Sequence, residues 1–317
     1  MAWTINQRST KSCSFVGLFM QQLGPIALAM TENPISFTLC ADDYALSPGV
    51  SRGILEALRA GRLTATSVLV TRPSWPSGAH ALREYRAKAD VGLHLNLTLG
   101  SPLGPMPAFA PCDRFPELAK FVKASLLKTL PEAQIGAEIV RQIDKFCEYF
   151  GAAPDFVDGH HHVHVLPRVR AQLFIGLEKK GLSGKVWLRN PSDSWRRILR
   201  RSLADITKAC GIAWVGKGFG KEAAARGFLI NDGFAGFSAF DPNRDYAAEF
   251  ARYLRAPGKH HLIMCHPGYC DEELASADSV TFSREQELRF LLSPVFTEIL
   301  SRRGATLARL SDYLRRN

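Results

Sequence analysis

ISFTLCADDYALSPGVSRGILEALRAG, residues 35–61, reads as one strand–turn–helix unit. ISFTLCADD (35–43) is a strand-type run, after which Ser47 offers an N-cap oxygen and Pro48 suits a first helical turn. Val50, Ile54 and Leu58 recur every four residues along one helix face, and Gly61 supplies the stop. A strand that ends in a turn and feeds directly into a helix is the repeating part of a parallel sheet with crossover helices.

The same alternation continues outward from this unit. TATSVLV (64–70), ADVGLHLNLT (89–98), PDFVDGHHHVHVL (154–166), KVWLRN (185–190), GFLIN (227–231), HHLIMCHPGY (260–269) and ATLARL (305–310) are the predicted second to eighth strands. Between them, Pro131 opens a helix whose apolar stripe is Ile135, Ile139, Ile143, Phe146 and Phe150, closed by Gly151. Ser283 and Gln286 form a capping-box pattern ahead of Leu288, Leu291, Leu292 and Phe296. Eight strands separated by helices predict an α/β fold, a single distorted (β/α) TIM-like barrel over residues 35–317. Residues 100–130, with five prolines, are too long for a simple connection and read as a lid or a face for a second copy of the chain. Residues 1–34 form an N-terminal extension outside the fold, and no linker divides the rest.

Composition narrows the function classes. Apolar residues make up 46% and charged residues 22%, the balance of an ordinary soluble globular protein. The net charge of +10 is spread over several Arg pairs in predicted helices and termini, without a nucleic-acid-binding motif beside them, so no nucleic-acid partner is expected. Seven scattered cysteines without a CxxC pair argue against a disulfide framework and for a reducing compartment, the cytoplasm. SFVGLFMQQLGPIALAM (14–30) imitates a signal peptide, but Gln21-Gln22 and Pro25 interrupt its apolar stretch. No unbroken apolar run of about 18 residues is present to predict a membrane span.

In such folds, reactive groups gather at the carboxyl ends of the strands. Asp42-Asp43 end the first predicted strand, His94 lies in the third, His160 to His164 hold four imidazoles at the fourth, and His266 ends the seventh. Strand alternation puts Asp158, His160, His162 and His164 on one face and His161 on the other, and lets Asp42 and Asp43 share a pocket only where the chain turns. Each element alone has a plain structural reading. An Asp pair caps helices, His94 between two leucines suits a hydrogen-bonded core position, and His266 before Pro-Gly suits a loop. GKGFGK (216–221) lacks the P-loop spacing and is expected to be a flexible loop. Cys265, His266 and Cys270 lack the face and the second Cys pair that a zinc site needs. Four histidines in five positions are harder to explain as chance, and imidazole is both a transition-metal ligand and a proton carrier.

ADDYALSPGVSRGILEA, VGLHLNLT with GSPLGPMP, FVDGHHHVHVLP and IMCHPGY, in this order, resemble the motifs of the YdjC/ChbG carbohydrate deacetylases, including the hopanoid-biosynthesis-associated members. The resemblance covers most of residues 35–312; Tyr44 and Ala45 depart from the usual ADDFGLS without touching the carboxylates. It implies a polysaccharide-deacetylase-like barrel, one divalent metal ion (Mg²⁺ or Zn²⁺), and hydrolytic removal of acetyl from an N-acetylated sugar or oligosaccharide. Carried over by motif, Asp43, His94 and His160 are the implied metal ligands, Asp42 the general base and His266 the general acid. His162 or His164 would satisfy the same strand-face geometry as His160. The rival readings are a metal-dependent phosphoesterase, which needs further carboxylates or a phosphate clamp, and a non-catalytic metal-binding protein, which would need neither Asp42 nor His266.

Overall fold

In a computed structural model, residues 34–201, 206–238, 240, 241, 243–278 and 280–314 are described; the expected extension falls almost wholly outside them. The chain runs β1 (Ile35–Tyr44), α1 (Pro48–Arg59), β2 (Ala65–Val68), α2 (Trp75–Arg83), β3 (Asp90–Leu95), α3 (Leu118–Leu126), α4 (Glu132–Phe150) and β4 (Phe156–Gly159). A 3₁₀ turn (His160–Val165) follows, then α5 (Val169–Lys179), β5 (Trp187–Leu188), α6 (Trp195–Arg201), α7 (Ile206–Val215), α8 (Phe219–Ala225), β6 (Leu229–Ile230) and β7 (Phe234–Ala235). The last elements are α9 (Tyr246–Tyr253), β8 (His261–Cys265), α10 (Glu272–Ala277), α11 (Phe282–Leu292), α12 (Pro294–Arg303), β9 (Ala305–Leu307) and α13 (Leu310–Leu314).

The strands form one parallel sheet in the order β6-β5-β4-β3-β2-β1-β8-β7, with β9 also paired to the start of β1. The sheet is a curled half-barrel, and its ends β6 and β7 share no ladder among the described residues. Strand β1 is the hub: it pairs with β2, β8 and β9, and eight of its ten residues are buried. Strands covered on both faces read as continuous apolar runs, which is why 35–41 stands out so clearly in the sequence.

Ser47 caps α1 as its spacing predicts, its hydroxyl accepting from the Val50 N–H, with Pro48 in the first turn. The stripe on α4 is buried from Ile135 to Phe150, and Gly151 ends the helix at φ 77°, where a side chain would be strained. Each fully buried Ile or Phe there contributes about 1.5–3 kcal/mol by leaving water. The 100–130 segment packs back on this helix. Buried Glu138 accepts from the Leu103 N–H, Gln134 accepts from the Ala108 and Phe109 N–H groups, and Phe109 meets Phe115 and Phe121.

Several expectations need correction. The fourth strand stops at Gly159 rather than running to 166, because the next residues turn into a 3₁₀ helix. Strand β7 is an addition that two residues of sequence do not signal. Thr281, not Ser283, precedes α11, and Ser283 is buried within the first turn, so the capping box does not form. GKGFGK is not a loop throughout, since α8 begins at Phe219.

Candidate active site

The site starts where β1 ends. Its pairing with β2 slips between Ala41 and Tyr44, and Asp43 adopts φ 70°, a left-handed conformation that Asp tolerates better than most residues. This bulge replaces the strict alternation that would have sent Asp42 and Asp43 to opposite faces. Both carboxylates are 2% exposed, and each has its own set of partners.

Asp43 meets the histidines. One donor atom from each of Asp43, His94 and His160 lies within 4.8 Å of the other two. Asp43 Oδ1 is 3.3 Å from His94 Nε2 and 3.1 Å from His160 Nδ1, while its Oδ2 accepts from the Arg284 guanidinium at 2.7 Å. Arg284, fully buried on α11, also holds Asp278.

Three strands place His94. The β3–β4 register sets it opposite Asp158, whose Oδ1 accepts from the Nδ1–H at 2.6 Å, with the Ser67 hydroxyl of β2 at 3.0 Å from the same nitrogen. The carboxylate assigns a proton to Nδ1, so that Nε2 is the nitrogen turned to Asp43.

His160 is placed by the turn that cuts β4 short. Gly159 allows it: a Cβ there would lie 2.9 Å from His164 Nδ1 and 3.1 Å from the His164 nitrogen. His161 and His162 then take φ of 54° and 57°, and His160, His162 and His164 turn to different partners, while the His161 ring stays 4.1 Å from that of His160. His160 faces Asp43; His161 lies 3.0 Å from the Thr98 hydroxyl; His162 packs on Phe234 and Phe237; His164 donates from Nε2 to the Arg189 carbonyl. The strand-face argument that grouped His160, His162 and His164 therefore fails, and the turn separates them.

Asp42 has a different partner. Arg189, the residue after β5, donates to its two oxygens at 2.5 and 2.6 Å, to Cys40 Sγ at 3.1 Å, and forms a 2.6 Å ion pair with Asp158 Oδ2. Cys40, Asp42 and Asp158 thus form a second compact set of ligand-type atoms, but the guanidinium fills its centre. Arg189 thereby ties the carboxylate that orients His94 to the one beside Asp43.

His266 follows β8. Ala41 pairs with Cys265, so Asp42 and His266 stand one step beyond the last pair of neighbouring strands. The His266 backbone N–H donates to Glu287, and its ring lies edge-on to Phe240 at 5.4 Å.

The electrostatics favour a cation. Burial opposes ionisation of Asp43, but Arg284 and His160 hold its carboxyl well below the usual range. Burial likewise disfavours charge on His94, yet Asp158, Asp43 and Asp42 raise its pKa to about 10. A place that stabilises a proton so strongly will also stabilise a metal cation at Nε2. Two imidazoles and a carboxylate, one imidazole held by a further carboxylate, fit a divalent ion. By contrast, burial lowers His161 to about 3 and His164 to about 4, so these stay neutral.

Sequence reasoning passed over Arg189 and Arg284. Arg189 was legible, standing at the carboxyl end of the predicted fifth strand. Arg284 had no signal, since it reaches the site from a helix.

A family model described as YdjC-like protein matches residues 36–302. A carbohydrate deacetylase of Homo sapiens is 29% identical, over 89% of this chain and 92% of its own. A chitooligosaccharide deacetylase of Proteus mirabilis is 28% identical, over 86% of this chain and 97% of its own. Among solved structures, a candidate cellobiose-phosphate cleavage protein of Enterococcus faecalis shares the fold with a TM-score of 0.66 and 22% identity, covering 89% of this chain and 99% of that one.

Proposed function

The chain belongs to the YdjC-like family, and we propose that it is a metal-dependent hydrolase that removes the N-acetyl group from an N-acetylated sugar. The substrate is a chito-oligosaccharide or another N-acetylhexosamine conjugate, and acetate is released. The names of the relatives support the reaction class. The observation that carries the reading is the meeting of Asp43, His94 and His160 with Asp42 beside them on one bulge.

A divalent ion held by Asp43, His94 and His160 would polarise the acetyl carbonyl and make water a stronger acid. Asp42 takes a proton from the water that attacks the acetyl carbon, and Arg189 fixes both oxygens of that carboxylate for the task. His266 gives a proton to the amide nitrogen as the C–N bond breaks, leaving acetate and a free amino sugar. Asp158 keeps His94 in the tautomer that presents Nε2. Zn²⁺ suits two imidazoles and one carboxylate, whereas Mg²⁺ prefers oxygen.

Acetate liberated from N-acetylated chito-oligosaccharides is the measurement. The metal-replete protein releases it, a chelator stops it, and Asp42→Asn retains the metal while losing about 10²–10⁴ of the rate. Undiminished release by chelated protein, or by Asp42→Asn, overturns the reading.

A further inference from the structure

Helices α6 and α7 are less well buried than their composition warrants. Seven of the ten residues of α7 (ITKACGIAWV) are apolar, yet Ala209 alone is buried. On α6, Ile198 and Arg201 face inward, while Trp195 and Leu199, four residues apart, share the outer face. Trp195 is 64% exposed, Leu199 43% and Trp214 67%. A protein that hides Trp75 and Trp187 completely leaves these two indoles in water.

Charge is concentrated on the same stretch. Residues 195–221 hold seven Arg and Lys against one acid, Asp205, and so account for six of the chain's ten net positive charges. Arg197 and Arg201 are committed to Asp193 and Asp232. Arg196 and Arg200 are exposed on the outer side of α6, and no ion pair holds them among the described residues. The guanidinium of Arg196 lies 5.5 Å from the Trp195 ring centre. Lys208 on α7 is turned back onto the protein, donating to the Ser238 carbonyl at 2.7 Å over the Phe240 ring, so Arg196 and Arg200 are the outward cations of the face.

We propose that the outer face of α6 and α7 docks on an anionic lipid bilayer. Indole rings settle at the boundary between headgroups and acyl chains, and flanking Arg and Lys pair with anionic headgroups. A polyanion such as nucleic acid would use the cations but would leave the exposed Leu199 without a partner; a bilayer uses both. The inner sides of the two helices cover Phe234 and Phe237, which touch His162. The proposal is independent of the deacetylation reading, because docking is measured without turnover.

The full chain is incubated with phosphatidylcholine vesicles, with and without about one-third phosphatidylglycerol. The bound fraction after sedimentation and the tryptophan emission are recorded. The expected result is binding to the anionic vesicles alone, weakened by salt, with a blue shift of emission. Trp195→Ala with Trp214→Ala, and separately Arg196→Glu with Arg200→Glu, each lower the bound fraction at least fivefold while leaving the melting temperature and the rate on soluble substrate in place. Binding that persists at full strength in both variants overturns the proposal by placing the contact elsewhere, residues 1–33 included. Equal binding to neutral vesicles overturns it, and so does the absence of binding. Self-association without lipid that the tryptophan variant abolishes also overturns it, since a second copy would then own the face.

Discussion

Arg189 holds both oxygens of Asp42 at 2.5 and 2.6 Å, although 147 residues separate them in the chain. Both side chains are buried, so each charge depends on the other for its solvation. Arg189→Met leaves Asp42 and Asp158 buried without their shared cation, and breaking such a pair costs about 3–5 kcal/mol. Arg189→Lys does not restore function, since an ammonium cannot match the two-pronged contact. Urea unfolding together with acetate release checks both statements; wild-type stability for the Met variant would contradict them.

Asp158→Asn is expected to weaken metal binding about 10–100-fold, the usual effect of removing the carboxylate behind a ligand imidazole. The direct readout is titration of metal-free protein with Zn²⁺. An unchanged affinity would mean that the His94 tautomer does not depend on Asp158.

Gly159→Ala drives a Cβ against the His164 ring and backbone at 2.9 and 3.1 Å. The turn can relieve this only by shifting His160 or His164, so a stability loss of about 1–3 kcal/mol is expected. Thermal unfolding measures that loss, and zinc titration of the same variant shows whether His160 has moved.

Acid should weaken the fold between pH 6.5 and 4. Burial lowers His164 and His261 from 6.5 to about 4, and each donates to a backbone carbonyl in its neutral form. In that window the unfolded chain binds more protons than the folded one, so stability is present above pH 6.5 and is lost as the pH falls through the folded values. Each imidazole contributes up to about 3 kcal/mol to this loss. Asp155, raised by burial to about 6, acts with the opposite sign, and so does Asp90, which burial also raises. His94, raised to about 10, loses its contribution only above pH 6.5. Unfolding free energy measured across pH 4–7 tests the balance, and His261→Gln should flatten the slope.

The four motif segments were legible because their signals are local. A β-branched strand ending in Asp42-Asp43, a capped helix with an apolar repeat, and a run of imidazoles are properties of adjacent residues. Strand alternation does not group the histidines correctly because it ends at Gly159, where a turn with positive φ at His161 and His162 takes over. Two-residue strands such as β7 are too short to carry a period at all.

By itself, the sequence determined the parallel α/β plan, the strand ends that bear Asp42, Asp43, His94 and His266, and the histidine run at the end of β4. Tertiary structure decided which imidazole faces Asp43, which cations hold the two aspartates, and that the sheet remains an open half-barrel. Periodicity and capping act over a few residues. The meeting of Asp43 with His160 and Arg284 spans 117 and 241 residues and depends on strand order, ladder register and the bulge at the end of β1.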